Sequence, residues 1–336
     1  MMRRLLCSFL IFAASPLAAA DDFDITAIVE THVVPRYEML AGQTQALARE
    51  ASVGCSAAAP DTAPGLLSAY HAAFDAWVGV GHLRFGPSEQ DDRAFALAFW
   101  PDPRGSTPKA LAGLVKSRDA AVNAPDEFAE ISVAARGFYA LEFLLFDAQF
   151  AQPRDAAYRC ALIQAVTKDI SSNAAAILAG WQNGYGALMS NPGNDTYRTP
   201  AEAAKQLFTA LSTGLEFTSL TRLGRPMGTY DRPRPNRAEA RRSERSLRHV
   251  LLSLAATREL TELISAGNEA VDKAFADAIQ RAEALDDPTL AGVADPQGRF
   301  RVEVLQQSID VIRRILSQEI GPELGIAAGF NSLDGD

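Results

Sequence analysis

From Phe128 onward the chain places Phe128, Ile131, Ala135, Phe138, Glu142 and Leu145 at alternating steps of three and four residues. That spacing draws one stripe down an α-helix. Similar periodicity predicts helices over roughly Ile25–Ala51, Ala63–His82, Pro108–Asp119, Asp126–Phe146, Asp155–Trp181, Pro200–Leu220, Arg237–Ser265, Glu269–Leu285 and Pro296–Ile320. Stretches that alternate apolar and polar residues are few, so the fold class read from the pattern is all-α. Breakers cluster in two long loops, Phe85–Thr107 and Leu223–Asn236, both rich in Pro and Arg.

One member of the first stripe does not belong there on hydrophobic grounds. Glu142 is a carboxylate on a face that should be buried, and an ionised buried carboxylate is costly unless paired. Tyr139, one turn earlier, can bring its hydroxyl to the same point. The pattern leaves two readings open: a helix–helix salt bridge with an arginine, or a ligand site.

The segment Arg136-Gly137-Phe138-Tyr139-Ala140-Leu141-Glu142-Phe143 resembles the Gly-x-His-x-x-Glu motif of the imelysin-like family, the M75 peptidase-like proteins of bacterial envelopes. Gly137 and Glu142 match, and Tyr139 stands at the His position. Four other stretches resemble the family in the same order: His82-Leu83-Arg84-Phe85-Gly86-Pro87, Phe99 to Gly105, Leu223-Gly224-Arg225-Pro226 and Gly329 to Asp336. The resemblance implies two helical bundles packed together, 21–152 and 153–336, meeting near Gln152–Pro153. A weak internal echo fits an internal duplication: Arg84-Phe85-Gly86-Pro87 against Gly224-Arg225-Pro226, and Thr213 to Phe217 against Gly137 to Phe143. The family connection implies iron acquisition. Its metal-binding or peptidase role leans on the motif His, which this chain lacks.

The N-terminus reads as a signal peptide over residues 1–20, with Arg3 and Arg4 before an apolar run and Ala18-Ala19-Ala20 before Asp21. The expected destination is the periplasm, with outer-membrane association left open and no transmembrane segment in the mature chain. A net charge of -9 argues against nucleic acid as a partner. Cys55 and Cys160 remain after cleavage, and in an oxidising compartment they are expected to form a disulfide. The long loop it closes would contribute about 4–5 kcal/mol in the chain-entropy model.

No His-Glu-x-x-His or Gly-x-Ser-x-Gly signature is present. His32 has no partner nearby in sequence. His71, Asp75 and His82 share a helix face, read here as a polar outer face rather than a metal site. The segment Arg237–Arg248 alternates Arg with Glu and Ser and reads as a solvated helix face. Arg84, Arg104, Arg222 and Arg225 can approach the Glu142 stripe, and arginine forks grip carboxylate or phosphate. The expected ligand site therefore comprises Tyr139, Glu142, His82, Arg84, Asp102, Arg104, Arg222 and Arg225, for a metal or a small anion. Glu142 is the candidate metal ligand, and iron is the candidate cofactor because it accepts an oxygen-rich set. The leading expectation is a binding protein; the rival is an M75-type metallopeptidase with Glu142 as ligand or general base, and a third is a scaffold for another envelope protein.

Overall fold

The computed structural model describes residues 24–54, 64–151, 155–265 and 267–326. They are all-α, with no strand and one isolated bridge between Thr229 and Arg232. The long helices are α1 (Val34–Gly54), α2 (Pro64–Val80), α3 (Ser106–Ser117), α4 (Gly137–Phe146), α5 (Ala156–Gly180), α6 (Pro200–Glu216), α7 (Ser246–Ser265), α8 (Glu269–Glu283) and α9 (Pro296–Ile315). Several begin where side chains meet the orphan N–H groups of the first turn. Thr199 accepts from Glu202 N before Pro200, Asn268 from Ala270 N and Val271 N, and Asp295 from Gly298 N before Pro296.

Buried stripes recur at helical spacing, as in Tyr37, Leu40, Thr44, Leu47 and Ala51 of α1 and Val302, Leu305, Ile309 and Ile312 of α9. They assemble the helices into two groups. In the first, α1 packs along α2 and α5, and α4 lies on α5. Gln182, just past α5, donates to Glu38 near the start of α1 at 3.0 Å, so α1 and α5 run antiparallel. In the second, α7 packs on α6 and α8, and α9 on α8 and α6. Contact of α2 with α7 joins the groups into one seam. The division expected at 152/153 would place α5 in the second bundle, whereas α5 packs along α1 and α4.

Two expected helices are broken, and both breaks shape the seam. The stretch Asp126–Phe146 is not one helix: a short helix ends at Ala129, a tight turn spans Val133–Ala135, and α4 starts at Gly137. Gly137 has φ +74°, and a Cβ there would run into the carbonyl oxygens of Ala96 and Leu97. Only glycine fits both demands. Likewise Arg237–Ser265 becomes α-helical only at Ser246, and residues 238–245 form a strap with a single 3-10 turn, Arg241–Ser243, flanked by Ala240 and Glu244 in the left-handed region. Between α6 and the loop, Phe217–Leu223 forms a π-helical stretch. Such wide turns often occur at functional sites.

Among the described residues no helix is long and apolar enough to cross a membrane. The segment 1–20 read as a signal peptide, the Gly329–Asp336 motif and Cys55 lie outside the described residues. Cys160 is partly buried near the start of α5, which the antiparallel register brings alongside the end of α1.

Candidate functional site

The seam is built around two buried carboxylates contributed by different halves. Glu239, on the strap, is 1% exposed and sits at the centre of a polar knot. Tyr139 of α4 donates its hydroxyl to Glu239 Oε1 in a very short hydrogen bond. Arg222, turned inward by the π-helical stretch, donates from Nε to Glu239 Oε2 at 2.6 Å and from Nη1 to Ser253 Oγ at 2.7 Å. His249 Nδ1 lies 3.3 Å from the same oxygen, within ion-pair range but without hydrogen-bond alignment. Burial alone would push the Glu239 carboxyl up, yet Arg222, His249 and Tyr139 hold it well below the usual carboxylate range. Burial lowers the His249 pKa against the pull of Glu239. Since Arg245 Nε donates to His249 Nε2 at 3.2 Å, the neutral ring carries its proton on Nδ1, the nitrogen nearer Glu239.

Glu142, one turn from Tyr139, is 2% exposed and forms no ion pair among the described residues. Its Oε1 accepts from the backbone N–H of Ser243 at 3.0 Å and from Ser243 Oγ at 2.9 Å. Burial raises its pKa, and the Ser243 donors oppose the shift only in part. Above Glu142 opens a cleft of about 270 Å³ between the first long loop, α4 and the strap. Trp100, Tyr139, Phe143, Thr107, Arg225 and Arg237 are among its lining residues. The Trp100 and Tyr139 rings stack with centroids 6.0 Å apart, and the Arg225 guanidinium lies 5.7 Å from the Trp100 centroid.

The structure brings some of the sequence-predicted residues together and disperses others. Tyr139, Glu142, Asp102 and Arg225 line the cleft, and Arg222 stands behind it on Glu239. Asp102 uses both carboxylate oxygens on Ser106 N and Thr107 N, at 2.9 and 2.8 Å, to cap α3. Burial raises its pKa, but these donors outweigh burial and leave it lowered. Arg104 is exposed and outside the lining, and its carbonyl accepts from Lys109 Nζ at 2.9 Å. Arg84 pairs with Glu89 at 2.7 Å on the surface. His82 belongs to a separate buried pair, its Nε2 3.0 Å from Nε2 of His32. His32 Nδ1 meets Glu259 Oε1 at 2.9 Å, so His32 does have partners, supplied by distant helices. Burial pushes both imidazoles below their ordinary pKa, which makes them neutral, one donating to the other.

Sequence reasoning missed Glu239, Ser243, Arg245 and His249. The strap read as a solvated helix face buries Glu239, Ser243 and Arg245 instead. The His71–Asp75 face is likewise no free outer surface. Asp75 pairs with Arg245 and Arg248, and His71 Nδ1 lies 2.9 Å from Arg245 Nη1. A basic run punctuated by two acids was the available signal: Glu239 and Glu244 stand among Arg237, Arg241, Arg242 and Arg245, and only Glu239 is buried.

As for a resident iron, Glu142 commits one oxygen to Ser243 and the Tyr139 hydroxyl is committed to Glu239. No group of three or more His, Cys, Asp or Glu able to hold a metal occurs among the described residues. These donors do not fit a resident metal centre.

The imelysin family model (peptidase M75) matches residues 33–316. The iron-regulated protein A of Synechococcus elongatus is 23% identical over 326 residues, covering 89% of this chain and 85% of that protein. The crystal structure of an imelysin-like protein from Psychrobacter arcticum superposes with a TM-score of 0.75 at 20% identity, over 91% of this chain and 96% of that one. A Parabacteroides distasonis structure described as an iron-regulated protein A precursor gives 0.70 at 14%, over 87% and 92%. With Gly137, Tyr139 and Glu142 at the seam of two helical groups and the family model running over most of its length, this chain belongs to the imelysin family.

Proposed function

We propose that this chain is an exported binding protein of the bacterial envelope, working in iron-related physiology without hydrolysing its ligand. The ligand enters the cleft over Tyr139 and Glu142. The observation that carries the reading is the cleft itself: an open, half-apolar cavity floored by a buried carboxylate that has hydrogen bonds but no ion pair among the described residues. Concave sites with a few convergent polar groups are the usual form of small-ligand pockets. The link to iron rests on the relatives named for iron regulation. Since the donors do not fit a resident metal, the iron relation runs through the ligand or the setting.

A thermal-shift screen of a metabolite library tests the reading. Ligands of the cleft should stabilise the wild type and lose most of that effect in Glu142→Gln and Trp100→Leu. Ligands that stabilise all three proteins equally would remove the cleft from consideration. Export adds a second expectation, a Cys55–Cys160 disulfide. Mass measurement after alkylation of the unreduced mature protein should find no free thiol, and two alkylated cysteines would refute the bridge.

A further inference from the structure

Resting on that reading of the cleft, we propose its ligand class: a small carboxylate with a planar apolar body, its carboxylate held by Arg225 and Arg237 and its body against Trp100. The argument begins with charge pairing. Three neighbouring arginines at the seam each have an acid: Arg222 has Glu239, Arg242 has Asp147 and Arg245 has Asp75. Arg225 and Arg237 line the cleft, and neither forms an ion pair or side-chain hydrogen bond with the described residues. Arg225 is half-buried, and its Nε is buried without a hydrogen-bond partner. An unmet buried donor of this kind is costly, more so when charged, unless a ligand meets it.

The acids nearby do not neutralise this pair. Asp102 spends both oxygens on the start of α3, and Glu142 is a buried acid hydrogen-bonded to Ser243. Burial and the charge of Arg237 both lower the Arg225 pKa, as expected of two neighbouring cations that form no ion pair with the described residues. The protein as a whole carries a net charge of -9, so this spot of uncompensated positive charge is local. Guanidinium forks suit a planar two-oxygen acceptor. The apolar part of the lining is flat: Trp100, Phe99, Phe143 and Pro103. A cavity of about 270 Å³ accommodates one aromatic ring with a carboxylate and little more.

Three probes read by isothermal titration at low ionic strength test this: benzoate, acetate and inorganic phosphate. Benzoate should bind, with acetate at least tenfold weaker because it lacks the ring, and phosphate no better than acetate. Arg225→Gln and Arg237→Gln should each weaken benzoate about tenfold, and the double variant should abolish binding. Lys109→Gln, a neighbouring exposed cation outside the cleft, should leave it unchanged. Circular dichroism and thermal unfolding establish that the variants are folded. Because Arg225 and Arg237 support no acid in the protein, their loss should hardly move the melting temperature. Equal benzoate affinity in the wild type and the double variant overturns the proposal, as does phosphate binding in preference to both carboxylates. If no probe binds while library ligands still depend on Glu142 and Trp100, the carboxylate assignment falls and the cleft reading stands. If nothing depends on Glu142 or Trp100, both fall.

Discussion

Glu142 and Glu239 are buried to almost the same degree within one seam, yet their acidities are displaced in opposite directions. Burial raises Glu142, and its Ser243 donors do not reverse that. Burial pushes Glu239 the same way, but Arg222 and His249 more than reverse it. Desolvation is common to both, so the direct Arg222 ion pair, with His249 and Tyr139 beside it, separates an ionised structural acid from one that Ser243 and the more distant charge of Arg242 leave biased toward its neutral form. The region behind Tyr139 is therefore a closed, internally balanced knot. The region in front of it is a cleft whose acid and cations are left unmatched to each other.

The sharpest way to break the contrast is to remove the cation. Arg222→Met should cost about 3–5 kcal/mol, since Glu239 is left buried and uncompensated. Urea unfolding measures this, and the double variant Arg222→Met/Glu239→Leu should recover a large part of the loss. A cost below that of an ordinary surface substitution would show that Glu239 does not depend on Arg222.

Next comes a test by charge at constant shape. Glu239→Gln should cost about 2 kcal/mol, because it loses charge-assisted bonds, and Glu142→Gln should cost less than half of that. The two should also differ in pH dependence. The lowered pKa of Glu239 gives stability that is present above the unfolded glutamate value of about 4.3 and lost as pH falls below it. The raised pKa of Glu142 does the reverse: its share is present below about 4.3 and lost as pH rises through the raised folded value. Melting temperature followed against pH should thus flatten on the acid side for Glu239→Gln and on the rising side for Glu142→Gln. Matching profiles for the two variants would erase the distinction.

The smallest effect should come from Ser243→Ala, which removes one of two donors to Glu142 Oε1 and should cost about 1 kcal/mol. It should also push the Glu142 pKa further up, readable by carboxyl-resolved NMR titration. A downward shift would contradict the role given to Ser243.

Much of the fold is legible in the sequence because it follows from local rules. Thr199-Pro200, Asn268 and Asp295-Pro296 announce helix starts, and the apolar stripes of α1, α5 and α9 keep helical spacing. Half of the site was also legible, because Tyr139 and Glu142 break an apolar stripe. The remainder depended on backbone states that composition does not encode. Ala240 and Glu244 adopt positive φ without being glycine, which lifts Glu239 and Ser243 out of a helical pattern and into the seam. His32 and His82 are 50 residues apart, and nothing local pairs them.

The seam also carries a schedule. Asp75 and Asp147 belong to the first half, and their cationic partners lie in residues 242–248, which the ribosome adds roughly a hundred residues or more later. Tyr139 and Glu142 likewise wait for Glu239 and Ser243, 100 and 101 residues on. Glu239 itself waits for nothing remote, since Arg222 and His249 are near in sequence. A nascent first half therefore displays chargeable groups on the face it must later dry, and water holds that face open until the strap emerges. The contacts that close this face exist only once the strap has been made.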